Sequence, residues 1–167
     1  MLKWMPILRR WLWRKTLLAL LTSLLFLLSF TLFQYASWWP ALAADTSLEW
    51  GGFYQGRTFA ELALPMLEFS AVLASAFLPL FLLTPRLLLL PLFAGLWLWQ
   101  TYDIAFMTAT ASTWLPHEII WAFILPHTHW LLLTLLPSLL LIRHLGRRLF
   151  ADTQATQSEA VTLTDRL

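Results

Sequence analysis

The chain has 167 residues, of which 59% are hydrophobic and only 12% charged, with a formal net charge of +2 and a mean hydropathy of +0.68. Soluble domains run nearer half apolar and a quarter charged, so polar surface is too scarce here to cover a water-soluble globule. There are no cysteines, which excludes disulfides, thiolate nucleophiles, iron–sulfur clusters and thiolate zinc sites.

A hydrocarbon core about 30 Å thick takes roughly 20 apolar residues at 1.5 Å per residue. Segments at about 17–35, 62–83, 87–107 and 119–142 meet that length. The expected fold is therefore all-α, a four-transmembrane-helix bundle forming a single domain over 1–150. A polar tail, 151–167, is rich in Thr, Gln, Ser and Asp and reads as a frayed or disordered cytoplasmic end.

The first span follows Lys3, Arg9, Arg10, Arg14 and Lys15. A basic start, an apolar run and Ala41-Leu42-Ala43 also resemble a secretory signal. The apolar run is longer than is usual for one, and Trp38, Trp39 and Pro40 intervene before the alanines, so the span reads as retained. Tryptophan is abundant, at 11 residues: Trp4, Trp11 and Trp13 precede the span, and Trp38, Trp39 and Trp50 follow it. Indole buries a large apolar body and keeps an N–H near water, so these read as interfacial belts. Trp97, Trp99, Trp121 and Trp130 lie deeper, facing partner helices or lipid. The loop from about 36 to 61 contains Trp50-Gly51-Gly52 and Gly56, and is expected to lie along the membrane surface.

The second span opens with Glu61 and Glu68, seven residues apart and so about 20° from eclipsed on a helix. Pro65, Val72, Ser75 and Pro79 fall near the same line, with Ala71 at its edge. Compact residues let helices approach closely, so this stripe is expected to face other helices. Only Thr84, Pro85 and Arg86 separate the second and third spans, which predicts an antiparallel neighbouring pair. The third span carries Gln100 and Asp103 on adjoining surface near its far end. The fourth is preceded by Pro116, His117 and Glu118, a helix-opening turn that places the acid at the positive end of the helix. Glu118 and His129 align to about 20°, while His127 and His129 point about 200° apart. Pro126 before this His-Thr-His step is expected to kink the helix.

The orientation follows from Lys and Arg. Arg86 lies in the second-to-third link, and Arg143, Arg147, Arg148 and Arg166 follow the fourth span, so ten of the eleven basic residues fall on one side and only Arg57 on the other. Under the positive-inside rule both termini are cytoplasmic, in a bacterial-type inner membrane. The same distribution explains the basic charge as topology and argues against nucleic acid. The expected partners are the lipid bilayer and other integral membrane subunits.

Ionisable groups at membrane depth are costly and mark functional positions. Glu68, Asp103 and Glu118 fall toward the extracytoplasmic end, where they are expected to share a polar pocket with His127 or His129, or to satisfy one another through interhelical hydrogen bonds. His127 and His129 are the candidates for a metal or haem, which would need a partner chain's ligand; no cofactor is required by the sequence. No nucleophile elbow, Walker loop or zinc-protease motif occurs, and the chain reads as a non-catalytic subunit or accessory factor of a larger membrane complex.

Pro65-Met66-Leu67-Glu68 and Pro137 followed by Arg143, Arg147 and Arg148, on a chain of this length with four spans, resemble the small membrane subunit of tripartite ATP-independent periplasmic (TRAP) transporters. The first motif matches the proline and first acid of that family's Pro-Trp-x-Glu-Glu pattern and lacks its Trp and second Glu, and the first loop is longer than that family's. The resemblance implies a transport-linked subunit, with the outer acids serving ion or proton passage. By topology alone the chain is also similar to four-helix immunity proteins against pore-forming bacteriocins. A redox subunit holding a cofactor through His127 or His129 is the third alternative.

Overall fold

The computed structural model describes residues 5–43, 59–109 and 115–164. Among them the chain is entirely helical: α1 (Met5–Ala43), α2 (Phe59–Leu83), α3 (Leu89–Ala109), α4 (Pro116–Ile119) and α5 (Thr128–Thr164). A π turn at Ile120–Ile124 and a 3-10 turn at Leu125–His127 join α4 to α5 into one long rod. Four helical stretches are long and apolar enough to cross a membrane: Arg9–Ser37, Leu64–Leu83, Arg86–Ala105 and Pro116–Phe150. The first loop is shorter than expected, because α1 continues to Ala43 and α2 begins at Phe59; the stretch between them, with Trp50, Gly51, Gly52, Gly56 and Arg57, lies outside the described residues, as do Trp4 and Trp114.

The distribution of side chains is that of a bundle solvated by lipid. On α1, Leu20, Leu24, Leu28 and Leu32 are exposed, while Phe26, Phe30, Thr22, Ser23, Ser29 and Gln34 are buried. In water the leucine line would be buried instead. In lipid there is no hydrophobic drive between helices, so close packing and interhelical hydrogen bonds hold them together. Phe26 is fully buried and joins three helices. Its ring lies 5.4 Å from Phe30, 5.2 Å edge-on from Phe77 of α2 and 5.8 Å edge-on from Phe93 of α3.

Trp97 of α3 is also fully buried, between Phe30 at 5.6 Å and Phe33 at 4.9 Å. Its indole N–H donates to Ser29 Oγ at 3.2 Å, which satisfies the one polar atom of a side chain otherwise suited to this core. Ser23 Oγ donates to the Ala74 carbonyl at 2.6 Å, and Gln34 Nε2 to Ser70 Oγ at 3.3 Å. These two bonds tie α1 to α2.

α1 is accordingly the central helix, with its broadest contacts to α2 and α5. This corrects the expectation that the short link makes α2 and α3 close neighbours. They meet beside the link, where the Phe81 and Phe93 rings are 6.2 Å apart; farther along, Phe26 stands between Phe77 and Phe93 and holds the two helices apart. The expected packing stripe is also displaced. Pro65, Glu68, Val72, Ser75 and Pro79 face outward, and the buried line of α2 is Ser70, Ala74 and Phe81. Ser75 returns its hydroxyl to the Ala71 carbonyl at 2.8 Å, whereas Ser70 and Ala74 receive α1, so the small residues that permit close approach lie on the opposite line.

The polar tail differs from the expected disordered end, because α5 continues as helix to Thr164. Extending an existing helix avoids the cost of nucleation, and Ala, Gln, Glu and Leu are good helix formers.

One buried polar atom is unsatisfied among the described residues: Thr31 Oγ1, in a side chain 7% exposed. A buried hydroxyl without a partner carries a desolvation cost that its isostere lacks. Thr31→Val is therefore expected to leave the fold intact and to raise stability by about 1 kcal/mol, read from unfolding in mixed micelles of rising SDS fraction.

Candidate functional site: an outward polar band

Of the candidate residues whose side chains are described, Glu68, His117, Glu118 and His129 are exposed, and Gln100, Asp103 and His127 are half-buried. Glu61 lies in the first turn of α2. Glu68 is exposed, about 6 Å along the axis from Leu64, where the apolar stretch begins. Gln100 and Asp103 are half-buried near the end of α3. His117 and Glu118 are exposed at the start of the fourth span.

Glu118 has a local structural task. The Leu115 N–H donates to its Oε2 at 2.8 Å, and the Glu118 and Ile119 N–H groups both donate to the Leu115 carbonyl. The carboxylate thus closes the reciprocal half of a capping box, with Pro116 at the first helical position. This matches the helix start expected from Pro116-His117-Glu118.

The break expected at Pro126 is also present, as a local winding change. The Leu125 N–H reaches back five residues to the Ile120 carbonyl, and the Thr128 N–H only three, to Leu125. Proline supplies no N–H, so the Ala122 carbonyl loses its ordinary donor, and the widened turn spreads that deficit. Thr128 Oγ1 also donates to the Leu125 carbonyl at 2.8 Å, giving that carbonyl a second donor. Segments of this kind recur where helices are adapted to function.

His129 follows directly. It is exposed, with its ring 5.0 Å from that of the half-buried Trp130. It stands about 20 Å along the rod from Pro116 and about 21 Å from Arg143, which is mid-span. His127, half-buried, sits one step before it. Between α5 and the other helices, by contrast, the buried polar residues are Thr134 and Ser138, each bonded back to its own helix.

Among the described residues no three His, Asp or Glu side chains come together as metal ligands would, and none of the described cavities is lined by Glu68, Asp103 or Glu118. Ionisable type alone also missed the polar groups that join helices, namely Ser23, Ser29, Gln34, Ser70 and Trp97. Their signal was available in the contrast on α1 between a leucine line and a line of Phe, Ser and Thr. No family model matches the chain, and neither a curated protein nor a solved structure matches it, so the resemblance to the TRAP small subunit rests on the chain's own features.

Proposed function

We propose that the protein is a non-catalytic subunit or accessory factor of a larger membrane complex, in a bacterial-type inner membrane with both termini cytoplasmic. The observation that carries this reading is His129: an imidazole at mid-span on the outer surface of the bundle. Polar and ionisable side chains at that depth face protein or water because hydrocarbon offers them no hydrogen bonds. Here the four helices have closed their interior without it, and partner helices are the surface that completes it. Glu68 and the half-buried Gln100 and Asp103 extend the same requirement around the bundle.

Purification in mild detergent, with mass spectrometry of the copurifying chains and an absorption spectrum, tests the assignment. A second integral membrane polypeptide in fixed ratio is expected. A single species of this chain alone overturns the subunit reading, and a Soret band lost in His129→Ala replaces it with the redox one.

The orientation has its own test, favoured by the absence of native cysteine. Single cysteines at Thr84 and Ser158 are expected to react with a membrane-impermeant maleimide only in permeabilised cells, and a cysteine at Asp45 in intact ones. The reverse pattern inverts the topology.

A further inference from the structure

We infer that the basic end of the bundle holds a binding site for the phosphate headgroup of an anionic glycerophospholipid, centred on Arg86. The inference rests on the proposed reading as a membrane protein whose basic end meets one leaflet.

Two cavities meet at Arg86. One, of about 260 Å³, lies between the start of α1, the α2–α3 link and α5, and presents Lys15 and Arg86 among Leu18, Phe81, Leu89 and Phe150. The other, of about 150 Å³, is bounded by Arg86, Arg143 and Arg147 with Leu87, Leu90 and Ile142. Four cations from three separate parts of the chain thus surround adjoining space. Among the described residues none of the four is paired with a carboxylate: Lys15 lies over the Trp11 ring at 5.2 Å, and Arg86 over the Phe150 ring at 5.3 Å. Gathered like charges without an anion repel one another, and a bound anion relieves that repulsion.

The geometry selects phosphate on a lipid. Arginine presents a planar fork of donors that matches phosphate oxygens in pairs, and the Phe150 ring holds the Arg86 guanidinium in place before any ligand arrives. Gly146 supports this placement: a Cβ there would stand 3.7 Å from Arg86 Nε and 4.0 Å from Leu18, so the arginine lies directly against the α5 backbone. The remaining walls are apolar, and Leu87, 89% exposed beside Arg86, offers acyl chains a continuous surface into the bilayer. A free phosphate would meet no use for these walls. Basic pockets between spanning helices at the cytoplasmic level are a recognised means of holding anionic headgroups.

The test is native mass spectrometry of the full chain released from detergent micelles doped with phosphatidylglycerol, with phosphatidylcholine, or with inorganic phosphate. Retention of phosphatidylglycerol is expected, at least tenfold above phosphatidylcholine, and is expected to fall at least tenfold in Arg86→Gln. Arg147→Gln, at an exposed position on α5, is expected to lower it several-fold with helicity unchanged, which separates headgroup binding from misfolding. Arg9→Gln, outside the cavities, is expected to retain the wild-type level. Equal retention of the two lipids, or equal loss in Arg9→Gln and Arg86→Gln, overturns the site. Displacement of phosphatidylglycerol by millimolar inorganic phosphate overturns the lipid assignment in favour of a soluble anion. Because the assay is made in micelles, a negative result leaves the cysteine-labelling test of topology untouched.

Discussion

Replacing Phe26 by Ala is expected to destabilise the bundle by about 3 kcal/mol, the low end of the range for truncating a buried aromatic ring. The ring is fully buried and touches Phe30, Phe77 and Phe93, so its removal opens a void where α1, α2 and α3 meet. In a soluble core the loss would include the transfer of the ring from water. A separated helix in a membrane already has its ring in lipid, so most of the penalty here is lost packing against neighbouring atoms. Phe26→Leu, which refills much of the volume, is expected to cost less than half as much. Unfolding in mixed micelles of rising SDS fraction measures both. A cost below about 1 kcal/mol for Phe26→Ala would be that of a tolerated substitution in a loosely packed site, and would remove Phe26 from the junction.

The second large effect is on assembly. Glu68→Leu combined with His129→Leu is expected to leave the chain inserted and folded, since both side chains are exposed on the bundle's outside. The same pair is expected to lower recovery of the proposed complex by roughly 7- to 270-fold. The magnitude follows from two interhelical hydrogen bonds at about 0.6 to 1.7 kcal/mol each, with a factor of ten for every 1.4 kcal/mol. Leucine at these positions is more soluble in lipid than the native residues, so the variant gains in isolation what it loses in association. Recovery at the wild-type level, with the chain correctly inserted, would show that the polar band carries no partner.

What was legible in the sequence divides along physical lines. Lengths of apolar residues near the bilayer thickness marked the four spans, because hydrocarbon requires every backbone group to be bonded within the segment. Chain-local chemistry was equally readable. Pro116 and Glu118 predicted a helix start, and Pro126 predicted the disturbed winding now seen between Ile120 and His127.

Packing was much less readable. In a soluble helix the apolar face is the buried face, but here leucine covers the lipid side, so the period of hydrophobicity does not point inward. The alignment of Glu61, Glu68, Val72 and Ser75 thus does not mark the interior face of α2, which Ser70, Ala74 and Phe81 occupy. The brevity of the Thr84–Arg86 link predicts that α2 and α3 are neighbours, yet beyond the link Phe26 of α1 packs against Phe77 of α2 and Phe93 of α3. In the sequence Arg86 marks only sidedness, because the cavities around it form from three distant stretches of chain.

The subunit reading meets its most direct test in a photo-reactive amino acid placed at position 129 and activated in native membranes. Because His129 is exposed at mid-span, a discrete cross-link to another integral membrane polypeptide is expected, with little or none from the same group at Leu28, on the exposed leucine line of α1. Lipid adducts alone at position 129, or equal protein cross-linking from both positions, would contradict it.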